Sequence, residues 1–342
     1  MNNKLKVEKN VSLKPFNTFG VEAKAHFFTK LNHKSEAIDF FSTQSAKFER
    51  VLVLGGGSNI LFTQDFDGIV VKMQTLGIQE VRQDQEHLWL KVEAGENWHN
   101  LVSYCVSKKW SGIENLALIP GTSGAAPIQN IGAYGVEIKD LLEEVEVWDK
   151  KINDIITFRQ ADCQFGYRES RFKAEKDRYV VLSILLKLSL VYNPNTSYAA
   201  IANYLAQKAI PATLESIFDA VIEIRRSKLP DPEVLGNCGS FFKNPLVSLQ
   251  DFERITLEHP ETPYFAAGEN FVKIPAAWLI EKCGWKGKQI GNVGCYRKQA
   301  LVLINATGKA QGTEVWEFAG SIQRDVKDRF GIELQPEVQI VY

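Results

Sequence analysis

The chain has 342 residues, 45% hydrophobic and 24% charged, with a formal net charge of −1. That length allows roughly two or three domains with a sizeable core. The balanced charge provides no global field for nucleic acid or an anionic membrane, so any phosphate recognition must be local.

Five cysteines, Cys105, Cys163, Cys238, Cys283 and Cys295, are odd in number and contain no C-x-x-C pair. Neither a disulfide framework nor a zinc site is suggested, and no metal is expected. The start, Met1–Asn10, is polar and lysine-rich without an apolar stretch behind it, unlike an ordinary signal peptide. No run of ~18 apolar residues occurs, so no membrane span is expected. A reducing cytoplasm fits these features.

In chain order, 51–54 (VLVL) reads as a short strand ending in Gly55-Gly56-Gly57, followed by a second apolar run, Ile60-Leu61-Phe62. Residues 69–73 and 88–94 also read as strands. Trp98, Leu101, Val102, Cys105 and Val106 have helical spacing, predicting a helix over 97–109. The stretch 112–136 has no sustained period. Strands resume at 145–149 and 179–190. Leu214, Ile217, Phe218, Ala220, Val221 and Ile224 stripe a helix over 213–227. Pro230-Asp231-Pro232 then breaks the chain, and a domain boundary is placed between about 190 and 230. Helices are expected at 274–283 and 313–329, and an alternating strand at 334–342. The mixed order of strands and helices predicts an α+β fold.

Two glycine-rich segments carry the first functional signal. Leu54-Gly55-Gly56-Gly57-Ser58-Asn59 is either a tight turn or a phosphate cradle, because glycine lets backbone N–H groups approach an anion. It is no Rossmann fingerprint, since Ile60 stands at the third glycine position. No glycine-lysine pair is followed by Ser or Thr, so there is no P-loop. The second segment runs from Pro120 through Gly121, Thr122, Ser123, Gly124 and Ala125, then Gln129, Asn130, Gly132, Ala133 and Tyr134 to Gly135. So little side-chain bulk over such a length favours an extended ligand lying on the backbone. Gly121-Thr122-Ser123-Gly124-Ala125 nearly fits a hydrolase elbow, but Pro120 and Pro127 bracket it where a strand and a helix are needed.

The chain resembles the UDP-N-acetylenolpyruvoylglucosamine reductase family. The resemblance rests on LKPFNTFG at 13–20, LGGGSN at 54–59, GENW at 95–98 and ENLALIPGTSGAAPIQNIGAYG at 114–135. It continues with FGYR at 165–168, KLPDP at 228–232, GSFFKNP at 239–245 and PEV at 336–338, all in order. It implies a vanillyl-alcohol-oxidase-like, PCMH-type FAD-binding module at 13–190, in subdomains of about 13–75 and 76–190. A connecting segment would follow at 191–228, a substrate-binding domain at 229–330 and a C-terminal strand at 331–342. Asn193–Tyr204 and Glu258–Asn270 look like the inserted loops of the family's longer type.

The resemblance further implies non-covalent FAD, with no histidine in the glycine-rich loops to attach it, and NADPH as co-substrate. In the family's reaction NADPH passes a hydride to FAD, which hands it to the vinyl carbon of UDP-N-acetylglucosamine enolpyruvate, giving UDP-N-acetylmuramate. The implied catalytic residues are Arg168 at the substrate carboxylate, Ser240 as proton donor and Glu337 as the acid paired with Arg168. The charge and donor chemistry suit those tasks. FAD would lie on Leu54 to Asn59 and on Pro120 to Tyr134. The sugar nucleotide would meet Tyr134, Tyr198, Arg225, Lys228, Asn244, Tyr264 and Gln299. His99 reads as structural or exposed. A monomer is expected. The alternatives are an FAD-dependent oxidase on the same scaffold and a non-catalytic flavin or nucleotide-sugar module.

Overall fold

The computed structural model describes residues 5–342, so the first four positions of the polar start lie outside the described residues. Two compact units form. One contains the residues up to Val11 with 25–56 and 67–227, and the other contains 12–24, 57–66 and 228–342. The long C-terminal part of the second unit begins at Lys228. The contiguous division into 13–190 and 191–228 is not followed. Residues 12–24 and 57–66 leave the first unit because Phe19, Val21 and Leu61 are buried in the core of the second. Conversely, the helix Leu214–Lys228 buries Leu214, Ile217, Ala220, Val221 and Ile224 in the core of the first.

In the first unit the strands Glu8–Ser12, Lys24–Leu31, Phe66–Met73 and Val51–Leu54 form one sheet in that spatial order. The last two are parallel, with Leu54 opposite Lys72. A five-stranded antiparallel sheet is ordered Asp154–Arg159, Leu142–Asp149, Tyr179–Ser189, His87–Glu93, Ile78–Gln83. Its central strand, Tyr179–Ser189, is apolar on both faces, the pattern of a strand covered on two sides. Val180 and Leu182 join a core with Phe40, Phe41, Leu31 and Trp148. Ile184, Leu186 and Leu188 join another with the helix Trp98–Ser107. Asn97 caps that helix, its side chain accepting from Asn100 N–H at 3.0 Å. Trp98 is fully buried, and its indole N–H donates to Leu116 O at 3.0 Å.

The second unit is organised by the helix Gly312–Phe330. Glu314 accepts the Gln311 N–H at 2.7 Å as a capping box, and Gly331, with φ of 70°, ends the helix. Val315, Phe318, Ala319, Ile322, Val326 and Phe330 form its buried stripe. The unit's main sheet is ordered Asn237–Ser240, Val302–Asn305, Val293–Cys295, Gln289–Ile290. A small antiparallel sheet joins Leu246–Ser248, Phe271–Lys273 and Phe265–Ala266. The helix expected at 274–283 is Ala276–Lys282. The terminal strand is shorter than its alternation suggests. Gln339–Val341 pairs in parallel with Ile60–Phe62, and an isolated antiparallel bridge joins Pro336 to Phe242. Glu337 lies before that strand and outside it, its N–H donating to Phe241 O at 2.8 Å beside the bridge.

Candidate flavin and substrate site

Leu54 ends the strand Val51–Leu54, and Gly55 and Gly56 follow it into close contact with the alanine-rich loop. A Cβ on Gly56 would stand 2.7 Å from Gly121 Cα, and one on Gly55 would stand 2.6 Å from Thr122 Oγ1. Only glycine permits that approach, which brings the two loop backbones together. The alanine-rich loop has more anchors than its composition suggests. Trp98 N–H donates to Gly121 O at 3.1 Å, Ser123 N–H to Glu96 O at 2.9 Å and Gly124 N–H to Ala94 O at 2.9 Å. Pro120 is exposed at its entry, Ser123 is fully buried and Ala125 is half-buried. A Gly56→Ala change must push the two loops apart at a cost of about 1–3 kcal/mol. FAD affinity should therefore fall roughly tenfold or more. Flavin content after gel filtration measures this, and unchanged content would show that the contact is incidental.

The remainder of the LGGGSN run belongs to the second unit. Gly57 has φ of 68°, and a Cβ there would stand 2.0 Å from Phe16 O. Its carbonyl accepts from Thr18 N–H at 3.0 Å. Ser58 is half-buried. Asn59 bonds back to the terminal segment, its side chain donating to Glu337 O at 3.2 Å and its carbonyl accepting from Gln339 N–H at 3.1 Å.

In the same unit Ser240 closes the strand Asn237–Ser240, half-buried and opposite Val302. Its neighbour Phe241 is fully buried and accepts the Glu337 N–H. One backbone hydrogen bond therefore holds Glu337 one residue away from Ser240. The Glu337 charge also reaches Cys238, whose thiol is pushed up mainly by burial and then by that carboxylate. The substrate residues implied by resemblance are spread. Asn244 Oδ1 accepts from Ala276 N–H at 2.9 Å and so caps the helix Ala276–Lys282. Gln299 Oε1 accepts from Leu301 N–H at 3.4 Å. Tyr264 is exposed and packs against Phe252, with ring centroids 4.8 Å apart. Lys228 is exposed at its helix end.

The first unit brings together Arg168, Arg225, Tyr134 and Tyr198. Arg168 occupies a two-residue turn closed by Gly166 N–H to Glu169 O at 2.9 Å, and its φ is 57°. That left-handed position normally takes glycine. Its guanidinium donates to Gly132 O at 2.9 Å. Asn130, also left-handed at φ 43°, is fully buried and donates to Glu137 at 3.0 Å and to Gly166 O at 3.0 Å. It ties the alanine-rich loop to the arginine turn. Gln129 and Ala133 are half-buried beside it.

Arg225 has an Nε that is buried without a hydrogen-bond partner. Burial pushes its pKa down. Tyr134 opposes that shift, and Arg168 adds to it. Neither neighbour is a carboxylate. An arginine cannot shed its proton, so the buried Arg225 guanidinium favours an anionic partner. Burial raises the Tyr134 pKa despite its bond to Arg225. The Tyr134 and Tyr198 rings meet edge to face at 5.2 Å.

Sequence reasoning missed Asn115. It is buried and donates to Tyr134 O at 2.9 Å and to Asn195 O at 3.1 Å, tying both tyrosine segments together. A buried amide between apolar residues was the available signal. His99 accepts from Leu118 N–H at 3.1 Å through Nδ1 and stacks on Phe218. Burial, then Arg226 and Arg225, holds its pKa below the ordinary value. It therefore acts as a loop acceptor.

Known proteins match the chain along its whole length. The UDP-N-acetylenolpyruvoylglucosamine reductase of Flavobacterium johnsoniae is 42% identical over 340 residues, covering 98% of this chain and 100% of that protein. That of Neisseria gonorrhoeae is 44% identical, covering 97% and 96%. The chain belongs to the UDP-N-acetylenolpyruvoylglucosamine reductase family. The family's C-terminal domain model matches residues 231–341, within the second unit, and an FAD binding domain model matches 28–152. The expected α+β architecture, a flavin module followed by the reductase C-terminal domain, is thus met. A reductase of this family from Thermus caldophilus shares the fold with a TM-score of 0.68 at 23% identity, covering 99% of this chain and 100% of that one. Among the described residues, no helix is long and apolar enough to cross a membrane.

Proposed function

We propose that this protein reduces UDP-N-acetylglucosamine enolpyruvate to UDP-N-acetylmuramate with NADPH and FAD, in peptidoglycan precursor synthesis. The observation that carries this is identity above 40% to reductases of that name over essentially the full chain. The full-length match disfavours an oxidase on the same scaffold. Bound FAD would supply the hydride relay between NADPH and the vinyl carbon, and its diphosphate is assigned to the closely packed backbone at Gly55–Gly56 and Gly121–Thr122.

The chain's own residues then have distinct tasks. Arg168 meets the substrate carboxylate, because a fixed guanidinium fork suits a planar anion and stays charged throughout. Arg225 takes an anion of the sugar nucleotide, which would relieve its buried charge. Glu337 polarises the carboxylate as negative charge develops on it. Ser240 delivers the proton to the adjacent carbon, and its hydroxyl becomes competent only when held within hydrogen-bond reach. Tyr134 and Tyr198 contact the sugar nucleotide from one side chain cluster, and Tyr264, Lys228, Asn244 and Gln299 supply further contacts. Asn193–Tyr204 and Glu258–Asn270 mark the longer type of the family. A cytoplasmic monomer without nucleic-acid or membrane partners completes the proposal.

The test is anaerobic. NADPH should bleach the yellow protein, and the enolpyruvyl substrate should restore its colour. Reoxidation by oxygen alone, with none by the substrate, would favour the oxidase reading. Acid precipitation should release the flavin into the supernatant, since the glycine-rich loops hold no histidine. Colour retained in the pellet would contradict non-covalent binding.

A further inference from the structure

Lys72 lies opposite Leu54 on the neighbouring parallel strand, so it ends beside the glycine-rich turn. Its ammonium donates to the Gly55 carbonyl. Among the described residues that carbonyl is its hydrogen-bond partner, and it joins no ion pair there. Burial lowers the Lys72 pKa, and Lys30 pushes it further the same way. A half-buried ammonium without a counter-ion is costly unless an anion accompanies it. In a trans peptide the C=O and N–H point to opposite sides, and no cis peptide occurs among the described residues. Holding the Gly55 carbonyl therefore turns the Gly56 N–H away from Lys72. Gly56 is the residue pressed against Gly121, and its N–H donates to no group among the described residues.

We infer that Lys72 is a cofactor-positioning residue: tethered to the Gly55 carbonyl, it fixes the Gly55–Gly56 peptide so that the Gly56 N–H serves the diphosphate of FAD, and it adds favourable charge there. The inference rests on the FAD reading and is independent of which substrate is reduced.

FAD release from the full-length holoenzyme tests it, followed by the rise of flavin fluorescence on dilution at low and high salt. K72M should release FAD roughly 10- to 100-fold faster, the scale of a lost charge-assisted hydrogen bond. K72R should stay close to wild type. Salt should speed release from wild type and K72R more than from K72M, because screening acts only where the charge remains. Release from K72M at the wild-type rate, or from K72R as fast as from K72M, would overturn the role. Circular dichroism of K72M at saturating FAD checks its fold. If K72M is not recovered folded, K72Q takes its place, and wild-type release from K72Q would equally overturn the role of the charge. A wild-type protein that retains no FAD would sink the flavin reading itself, whereas failure confined to the variants sinks only this inference.

Discussion

Replacing Ser240 by alanine should divide the reaction into an intact half and a crippled half. Bleaching by NADPH needs no acid at the substrate carbon, so it should proceed near the wild-type rate. Recovery of colour with the enolpyruvyl substrate should slow by roughly 10²–10⁴-fold, the scale of a lost positioned acid. The structure makes this a clean substitution. Ser240 is half-buried at a strand end, and its pairing with Val302 uses the backbone. The apolar anchor is the adjacent Phe241, which is fully buried. FAD content and melting temperature should therefore change little. Stopped-flow absorbance resolves the two halves. A variant that recovers colour as fast as wild type would reduce Ser240 to a strand-end residue. Equal loss of NADPH bleaching would mean that the residue organises the flavin site instead.

Arg168→Gly should remove activity while leaving the fold nearly untouched, an unusual outcome for deleting a half-buried arginine. Its backbone is left-handed, with φ of 57°. Glycine relieves about 1–2 kcal/mol of strain there. The variant also loses the bond to Gly132 O, worth about 0.5–1.5 kcal/mol. The relief offsets that bond, and with the Tyr167 ring contact also lost, thermal stability should fall only modestly. Loss of a fixed cation at developing negative charge should lower kcat/KM by roughly 10²–10³-fold. Arg168→Lys keeps the charge but loses the fork, and should fall between the two. Steady-state kinetics with a parallel melting curve decides the matter. Activity within a few-fold of wild type would leave Arg168 as a turn residue. A large drop in melting temperature would give the Gly132 bond a structural role instead.

The sequence by itself determined the elements whose burial is local. The helices over 98–107 and 312–330 emerge within two residues of their apolar stripes, because helical spacing records one buried face. The glycine and alanine runs likewise signal close backbone packing, and Gly56 does meet Gly121 where no larger residue would fit. Ordered motifs along the chain were enough to point to the family. Pairing between distant segments was decided only by the tertiary structure. The LGGGSN run is a single motif in sequence, yet Gly56 packs on Gly121 while Asn59 bonds to Glu337, 278 positions away. Glu337 reads as part of an alternating strand but sits just before it, beside a bridge to the distant Phe242. Nothing local announced the left-handed Arg168, the Asn115 amide joining two tyrosine segments, or Lys72 beneath Gly55. Each depends on long-range hydrogen bonds and on which charges the fold buries together, and hydrophobic periodicity carries no record of either.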